Sequence, residues 1–468
     1  MRVSDELISR SVYDYFEARI LAGLYRTGEK LPPILALADA FHLAPETIRC
    51  ALLMLSEDGY LQIKPKLGCW VAYRADREAR EAAAARYYAQ RCDGIEDLFR
   101  AAPCLLDPLL EQALRQMDGG GLARLRADWA RQRDGQIIPA SIRLYAQILS
   151  ALNNSLVLNL YWEAGRYLRF SCLADPGAYE AAASAPDGAL GAALQSAASG
   201  AGRHIRGVCR DAAARYPGEP QTPFLWTIYR QRRQLCYTLA ARIIRRIAAG
   251  AYPPGRYLPS LPKMARQLDV SLSTLRRTIS ILGSLGVTRS FHGKGTLVCT
   301  QVGDIDFSCP EIREGLRYYW ESLQLLSLTA GPVTLHMLQT IPERDRDSLT
   351  AQFLEMCDLD RCHRCFDIVL DFIAQRCPLA MVRQCYGALW EFLAWGYPFT
   401  VRRLRDRSLQ GEYAQFIGQA AQRLVRRDWA GFAGEFAALM RREALLAQQA
   451  LAAPQTESET AHTIEVHP

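Results

Sequence analysis

A chain of 468 residues, 50% hydrophobic and 22% charged, can bury extended cores, and its length suits about three or four domains. No apolar run reaches membrane-span length, residues 1–5 do not open like a signal peptide, and the fourteen cysteines are scattered, so a cytoplasmic protein with reduced thiols is expected rather than a membrane or disulfide-framed one. The net charge of +7 hides a local imbalance: Arg230 to Val298 carries thirteen Arg and Lys against one acid, Asp269, a net +12 that leaves −5 for the rest.

From the N-terminus, residues 1–76 are legible because they recur. Arg19–Val71 aligns without a gap with Arg246–Val298 at a constant offset of 227. Ile20 matches Ile247, Gly23 matches Gly250, Tyr25 matches Tyr252 and Gly28 matches Gly255. Leu31-Pro32 matches Leu258-Pro259, Thr47-Ile48-Arg49 matches Thr274-Leu275-Arg276, and Leu52, Leu55, Gly59, Gly68 and Val71 complete the series. The repeated unit is a helix, a helix-turn-helix and a two-stranded wing. This copy counts nine Lys and Arg against ten Asp and Glu, a net −1. Ala44 offers its third helix no cap, Pro45 suits a first helical turn, and Lys64-Pro65-Lys66-Leu67-Gly68 forms the wing tip. Thr47, Arg49, Lys64 and Lys66 are its candidates for weak DNA contact; a structural role is the other reading.

Residues 77–225 read as an α-helical segment, with helices over Ala82–Arg91 and Leu156–Phe170. Gly119-Gly120-Gly121, Asp175-Pro176-Gly177 and Ala185-Pro186-Asp187-Gly188 read as loops, and Pro217, Pro220 and Pro223 mark a linker.

Residues 226–300 hold the fuller copy. Leu235, Leu239, Ile243 and Ile247 form one face of an amphipathic helix closed by Gly250, and Pro253-Pro254-Gly255 turns the chain. A short helix over Leu261–Leu268 has Ser260 at its N-cap position, and after Asp269-Val270 Ser271 caps a third helix that carries Leu275, Ile279 and Leu282 inward. Gly286 ends it, and Val287–Ser290 and Thr296–Cys299 flank a wing tip of His292, Gly293, Lys294 and Gly295. A basic surface on this pattern attracts phosphate backbones. The DNA-contact candidates are Ser260, Lys263, Ser271, Ser273, Thr274, Arg276, Arg277, His292, Gly293 and Lys294.

Residues 301–452 read as a second helical segment, with helices over Val382–Ala394 and Tyr413–Arg426, and residues 453–468 as a disordered tail. Cys362-His363-Arg364-Cys365, with Cys357, Cys377 and Cys385 nearby, has the spacing of zinc ligands, but no second pair closes a tetrahedral site. Core thiols are the preferred reading and a metal or redox sensor the other. Tyr318, Tyr319, Trp320, Trp390 and Trp395 are either core or the lining of a ligand pocket.

The second copy resembles the GntR family of bacterial transcription regulators through Ile247…Gly250, Pro253-Pro254-Gly255, Leu258-Pro259-Ser260, Ala265…Leu268, Val270-Ser271, Thr274-Leu275-Arg276, Leu282, Gly286 and Gly293-Lys294-Gly295-Thr296. Leu272 stands where that family usually has Arg, so the resemblance implies a missing base-reading group; His292 takes the place of a minor-groove contact. The helical segments are similar to the all-α, FCD-like effector domains of its fatty-acid-responsive branch, through Leu144-Tyr145-Ala146-Gln147, Asn153-Asn154-Ser155-Leu156, Cys377-Pro378-Leu379 and Arg426-Arg427-Asp428. Many of those domains bind a metal through an Asp and three histidines. Tyr145 and Tyr413 stand where two of the histidines would be, so no metal and no cofactor is expected.

These observations together predict a mainly α protein with two winged helix-turn-helix domains, each followed by an all-α effector-like domain. The expected activity is ligand-responsive, sequence-specific binding of double-stranded DNA in transcription regulation, with an unidentified small-molecule effector. The two halves are expected to form an intrachain pseudo-dimer reading unlike half-sites, a homodimer being the alternative. A reading from another class is a ligand-binding or protein-interaction module with degenerate DNA-binding heads. No phosphate-binding loop, nucleophile elbow or HExxH pair points to an enzyme.

Overall fold

The protein, as a computed structural model, is described over residues 3–21, 25–41, 44–65, 67–74, 77–131, 140–168, 179, 181–182, 184–226, 228, 232–301, 303, 305–356, 365–405 and 408–452. The fold is mainly α, with two winged helix-turn-helix units. The first unit is α1 (Val3–Leu21), α2 (Ile34–Phe41), α3 (Pro45–Glu57), β1 (Leu61–Lys64) and β2 (Gly68–Val71). A helical segment follows: α4 (Arg77–Ala89), α5 (Cys92–Leu105), α6 (Asp107–Gln116), α7 (Gly119–Arg131), α8 (Ala140–Ser150), α9 (Ser155–Tyr167) and α10 (Leu190–Arg215). The second unit comprises α11 (Arg232–Ala248), α12 (Leu261–Gln267), α13 (Leu272–Ser284), β3 (Thr288–Phe291) and β4 (Gly295–Val298). The last segment is α14 (Pro310–Thr340), α15 (Glu343–Glu355), α16 (Cys365–Arg376), α17 (Ala380–Leu393), α18 (Tyr397–Arg405), α19 (Ser408–Val425) and α20 (Trp429–Ala452).

The offset of 227 holds for the fold as well as for the residues. Strands β1 and β2 recur as β3 and β4 at that spacing, and the wings share a register, Leu61 opposite Val71 and Thr288 opposite Val298. The predicted strands of the second wing differ from the observed ones by one residue, because the ladder extends to Phe291 and begins at Gly295. Gly59 and Gly286 end the two recognition helices with φ of 80° and 75°, the left-handed region that closes a helix without a Cβ clash. Ser260 sits at the N-cap of α12 but its side chain makes no capping bond, whereas Ser271 accepts from Thr274 N–H at 3.1 Å.

The helical segments are also related. Helices α7, α8 and α9 recur as α15, α16 and α17, which start 224 or 225 residues later. Buried side chains of both segments form one cluster, with Leu98, Leu110, Leu156 and Leu160 from the first and Leu325, Val333, Leu389 and Tyr386 from the second. Two carboxylates lock it. Asp97 on α5 accepts from the backbone N–H groups of Ala380 and Met381 at 2.8 and 2.7 Å, capping α17. Glu321 on α14 accepts from Leu156 N–H at 3.1 Å and from the Ser155 hydroxyl at 2.6 Å, capping α9. Each segment therefore caps a helix of the other from an equivalent position. Asn154 caps its own helix through Val157 N–H and donates to the Glu321 carbonyl and to Gln324.

The stretch predicted as a linker is a strap sewn into both segments. Gln384 donates to the Phe224 carbonyl and accepts from Trp226 N–H, while the Trp226 indole donates to Asn159 at 2.8 Å. Phe224 and Trp226 are buried because the strap crosses the shared core.

Each capping carboxylate meets orphan N–H groups whose loss leaves buried donors unsatisfied. Asp97→Ala and Glu321→Ala should each lower stability by about 1–3 kcal/mol. In guanidinium titrations followed by tryptophan fluorescence the helical segments should still melt in one transition; two separated transitions would contradict the shared core.

Candidate nucleic-acid interface

In the second winged helix α13 projects an exposed stripe of Ser273, Arg276 and Ser280, while Leu275, Thr278, Ile279 and Leu282 turn inward. The spacing follows from the helical period. Ser271 holds the start of the helix: its hydroxyl lies 2.9 Å from that of Ser273 and 2.7 Å from that of Thr274. The uncapped N–H groups of the first turn and these hydroxyls suit contact with phosphate oxygens. Arg276 is exposed and carries no ion pair among the described residues, so it is available to a base edge or phosphate. Lys263 and Arg266 are exposed on α12, Ser260 before it, and His292, Gly293 and Lys294 at the wing tip. Gly293 and Gly295 have φ of 74° and 105° and make the tight tip.

Arg277 requires a correction. Its guanidinium does not face outward but pairs with Glu311 in the first turn of α14 at 2.7 Å. That hydrogen bond holds the Glu311 carboxyl below the usual carboxylate range. Arg277 follows Arg276 by 100° around the helix and so lands on the side facing the helical segment. The net +12 of the second unit is likewise not all available to DNA. Arg245 lies 3.7 Å from the centroid of the Trp390 ring, whose indole donates to Asp367. The core of this unit is continuous with Ile312, Leu316, Trp395 and Ala444 of the last segment. Gly315 makes that possible, because a Cβ there would meet the Trp395 ring at 2.2 Å.

The first winged helix differs at its surface. Thr47 is buried, so it serves the core of this unit and not a DNA face. Arg49 is exposed but pairs with Glu46 at 3.2 Å, which reduces its attraction for phosphate. Lys64 and Lys30 each lie 5.2 Å from the Trp70 ring centroid. Lys66 lies outside the described residues. This unit keeps a core of its own, and it meets the helical body through Trp162 and the Asp14–Arg166 pair at 3.3 Å.

No group of three His, Cys, Asp or Glu side chains among the described residues could hold a metal ion. Tyr145 donates to the Leu194 carbonyl, and Tyr413 donates to Glu443, which also pairs with Arg403 at 2.7 Å. Cys357, Cys362 and His363 lie outside the described residues; Cys365, Cys377 and Cys385 are buried free thiols. Burial pushes the Cys377 thiol up to about 11, against reactivity at neutral pH. Tyr318 stacks on Phe392 and Tyr319 on Phe399, and Trp395 is buried in the core of the second winged helix. A cavity lies elsewhere, in the first segment. It measures about 520 Å³ and is lined by Leu110, Tyr145, Tyr161, Tyr179 and Asp107 among others. Sequence periodicity marks these as core positions and gives no sign of the space between them. No described helix is long and apolar enough to cross a membrane.

Glu311→Gln removes the charge that holds Arg277. Freed, the guanidinium adds one cation near the DNA face, so the salt dependence of DNA affinity should steepen by about 0.9 in log–log slope. Anisotropy titrations of a labelled duplex at several salt concentrations measure it; an unchanged slope would show that Arg277 stays docked.

The model of the family described as "Bacterial regulatory proteins, gntR family" matches residues 8–71 and again 236–298. The chain is 38% identical over 73 residues to the "Probable fructoselysine utilization operon transcriptional repressor" of Escherichia coli (strain K12), covering 15% of this chain and 30% of that protein. It therefore spans under a third of that relative's length. It is 28% identical over 102 residues to "Uncharacterized HTH-type transcriptional regulator YhcF" of Bacillus subtilis (strain 168), covering 22% of this chain and 84% of that one. Among solved structures, E. coli McbR/YncC aligns at 15% identity with a TM-score of 0.25, covering 46% of this chain and 98% of that chain. The two winged helices are thus domains of the bacterial gntR regulatory family type.

Proposed function

We propose that this protein is a transcription regulator that binds double-stranded DNA sequence-specifically through its second winged helix. The observation that carries this reading is the exposed stripe of Ser273, Arg276 and Ser280 on a capped recognition helix, flanked by Lys263, Arg266 and Lys294. Phosphate contacts come from the cations and the helix N-terminus, and base reading from Arg276. The first winged helix contributes weaker contact, because Glu46 neutralises Arg49 and the unit carries a net −1.

The chain acts as a covalent pseudo-dimer in this reading. The reciprocal caps of Asp97 on α17 and Glu321 on α9 support a two-fold relation between the helical segments. With unlike recognition helices, the operator should be asymmetric, since protein and operator symmetry mirror each other. The helical segments serve as effector domains, and the cavity of about 520 Å³ has the size of a small-molecule site. A ligand there biases DNA binding only if its affinity differs between the two placements of the heads.

Arg276→Ala should weaken binding to a mapped site by about 1–3 kcal/mol, and Arg49→Ala clearly less. Anisotropy at fixed salt checks the ranking; equal losses would reverse it. Burial raises the Asp107 carboxyl to about 6, above the 3.8 of an ordinary aspartate. The folded state therefore binds its proton more tightly than the unfolded chain, so stability is lost as pH rises from about 4 to 6. Asp107→Asn should raise the melting temperature at pH 7, with the gain vanishing below pH 4. A gain that is the same at both pH values would show that the carboxyl is well solvated.

A further inference from the structure

Asp107 stands at the wall of the cavity in the first helical segment without a counter-charge. It has no hydrogen bond or ion pair among the described residues, and the charge that acts on it, Glu111, has the same sign. Three tyrosine rings line the same space. Tyr145 and Tyr161 stack with centroids 6.3 Å apart, and Tyr179 meets Tyr145 edge-on at 6.2 Å. Burial, the neighbouring phenols and the charge of Asp107 push the Tyr145 phenol up, so the carboxylate lies within electrostatic reach of these rings. The fold of such a segment does not require the acid. At the spacing of 224 that relates Asp97 to Glu321, Asp107 corresponds to Gly331 of α14, where a Cβ would meet that of Ala437 at 3.2 Å. The last segment thus does without any side chain at this place.

A carboxylate facing apolar space carries a desolvation cost that a bound cation offsets. Tyrosine faces attract the same charge, because the π-electrons make the face of the ring negative. The guanidinium groups of the wall belong to another part of it. Gln195 of α10 donates to Glu111, one turn beyond Asp107. Arg206, eleven residues or roughly 16 Å further along α10, pairs with Glu96 at 3.6 Å and lies over the Phe99 ring. Arg203 is exposed. We propose that the cavity binds an organic cation, a primary amine on an apolar, aromatic body, with its ammonium on Asp107 beside the tyrosine rings and its body against Leu110, Val157 and Ala198. This ligand class rests on the reading of the cavity as a small-molecule site. Few polar groups in a mainly apolar pocket fix how a ligand lies in it, and here Asp107 would be the one that selects charge.

Isothermal titration calorimetry of the full chain with phenylbutylamine, phenylbutanol and phenylbutyrate tests the charge, since the three share a body and differ in the head group. The amine should bind about tenfold or more tighter than the alcohol, and the carboxylate more weakly than both. Asp107→Asn should remove the preference, bringing the amine to the affinity of the alcohol and leaving the alcohol unchanged. Ala198→Phe fills the cavity and should abolish binding of all three, with helix content unchanged by circular dichroism. An alcohol or carboxylate that binds as tightly as the amine overturns the ligand class, and the small-molecule site still stands if Ala198→Phe abolishes that binding. An amine indifferent to Asp107→Asn or to Ala198→Phe is bound in another way and overturns the ligand class too. Binding of none of the three overturns both the class and the site. Amine binding that meets every expectation yet leaves duplex affinity unchanged upholds the ligand class and overturns the effector role.

Discussion

Glu321 is the group on which the arrangement of the chain depends. Its carboxylate is buried, and a buried charge is tolerated only when its lone pairs are fully used. Leu156 N–H, the Ser155 hydroxyl and the Arg317 guanidinium supply the donors, and two of them belong to the other helical segment. The apolar core alone is non-directional and would accept many relative placements of two helical layers. Directed hydrogen bonds at the N-termini of α9 and α17 select one.

From that contact the consequences run outward along α14. Ten residues before Glu321, Glu311 holds Arg277 of the recognition helix, and Glu314 accepts from Tyr237 of α11 at 3.0 Å. A single helix thus carries both the intersegment lock and the anchor of the basic head. The other head is attached through α9, by Trp162 and the Asp14–Arg166 pair. One head is continuous with the body through a shared core, while the other rests on it through a small contact. A displacement at the α9–α14 contact would therefore reach one head through a shared core and the other through a small contact.

The helical segments have diverged in what they enclose. In the last segment Tyr413, Glu443 and Arg403 fill the interior with a hydrogen-bonded ion pair. In the first, Tyr145, Tyr161 and Tyr179 surround open space with Asp107 at its edge. Where the resemblance implies histidine ligands both segments carry a tyrosine, whose phenol remains protonated in these apolar surroundings and is a poor metal ligand. The first segment keeps room for a molecule.

The winged helices were legible in the sequence because their determinants are local. Gly286 at a helix end, Ser271 at a helix start and the glycines of the wing tip each act within a few residues, and the offset of 227 repeats Gly286 as Gly59 and Gly295 as Gly68. Four helices of the two segments followed from their periodicity, with ends displaced by a few residues, whereas Gly119-Gly120-Gly121, read as a loop, opens α7. The fate of individual charged side chains was not legible. Arg276 and Arg277 are adjacent and alike in sequence, yet one faces solvent and the other faces Glu311, a residue 34 positions away. Thr47 looked like a contact residue and lies in the core, since a helix position faces in or out according to what packs against it. The reciprocal caps of Asp97 and Glu321 and the cavity beside Asp107 belong to the same class. They are made by groups more than 160 residues apart or by space between helices, and chain order records neither.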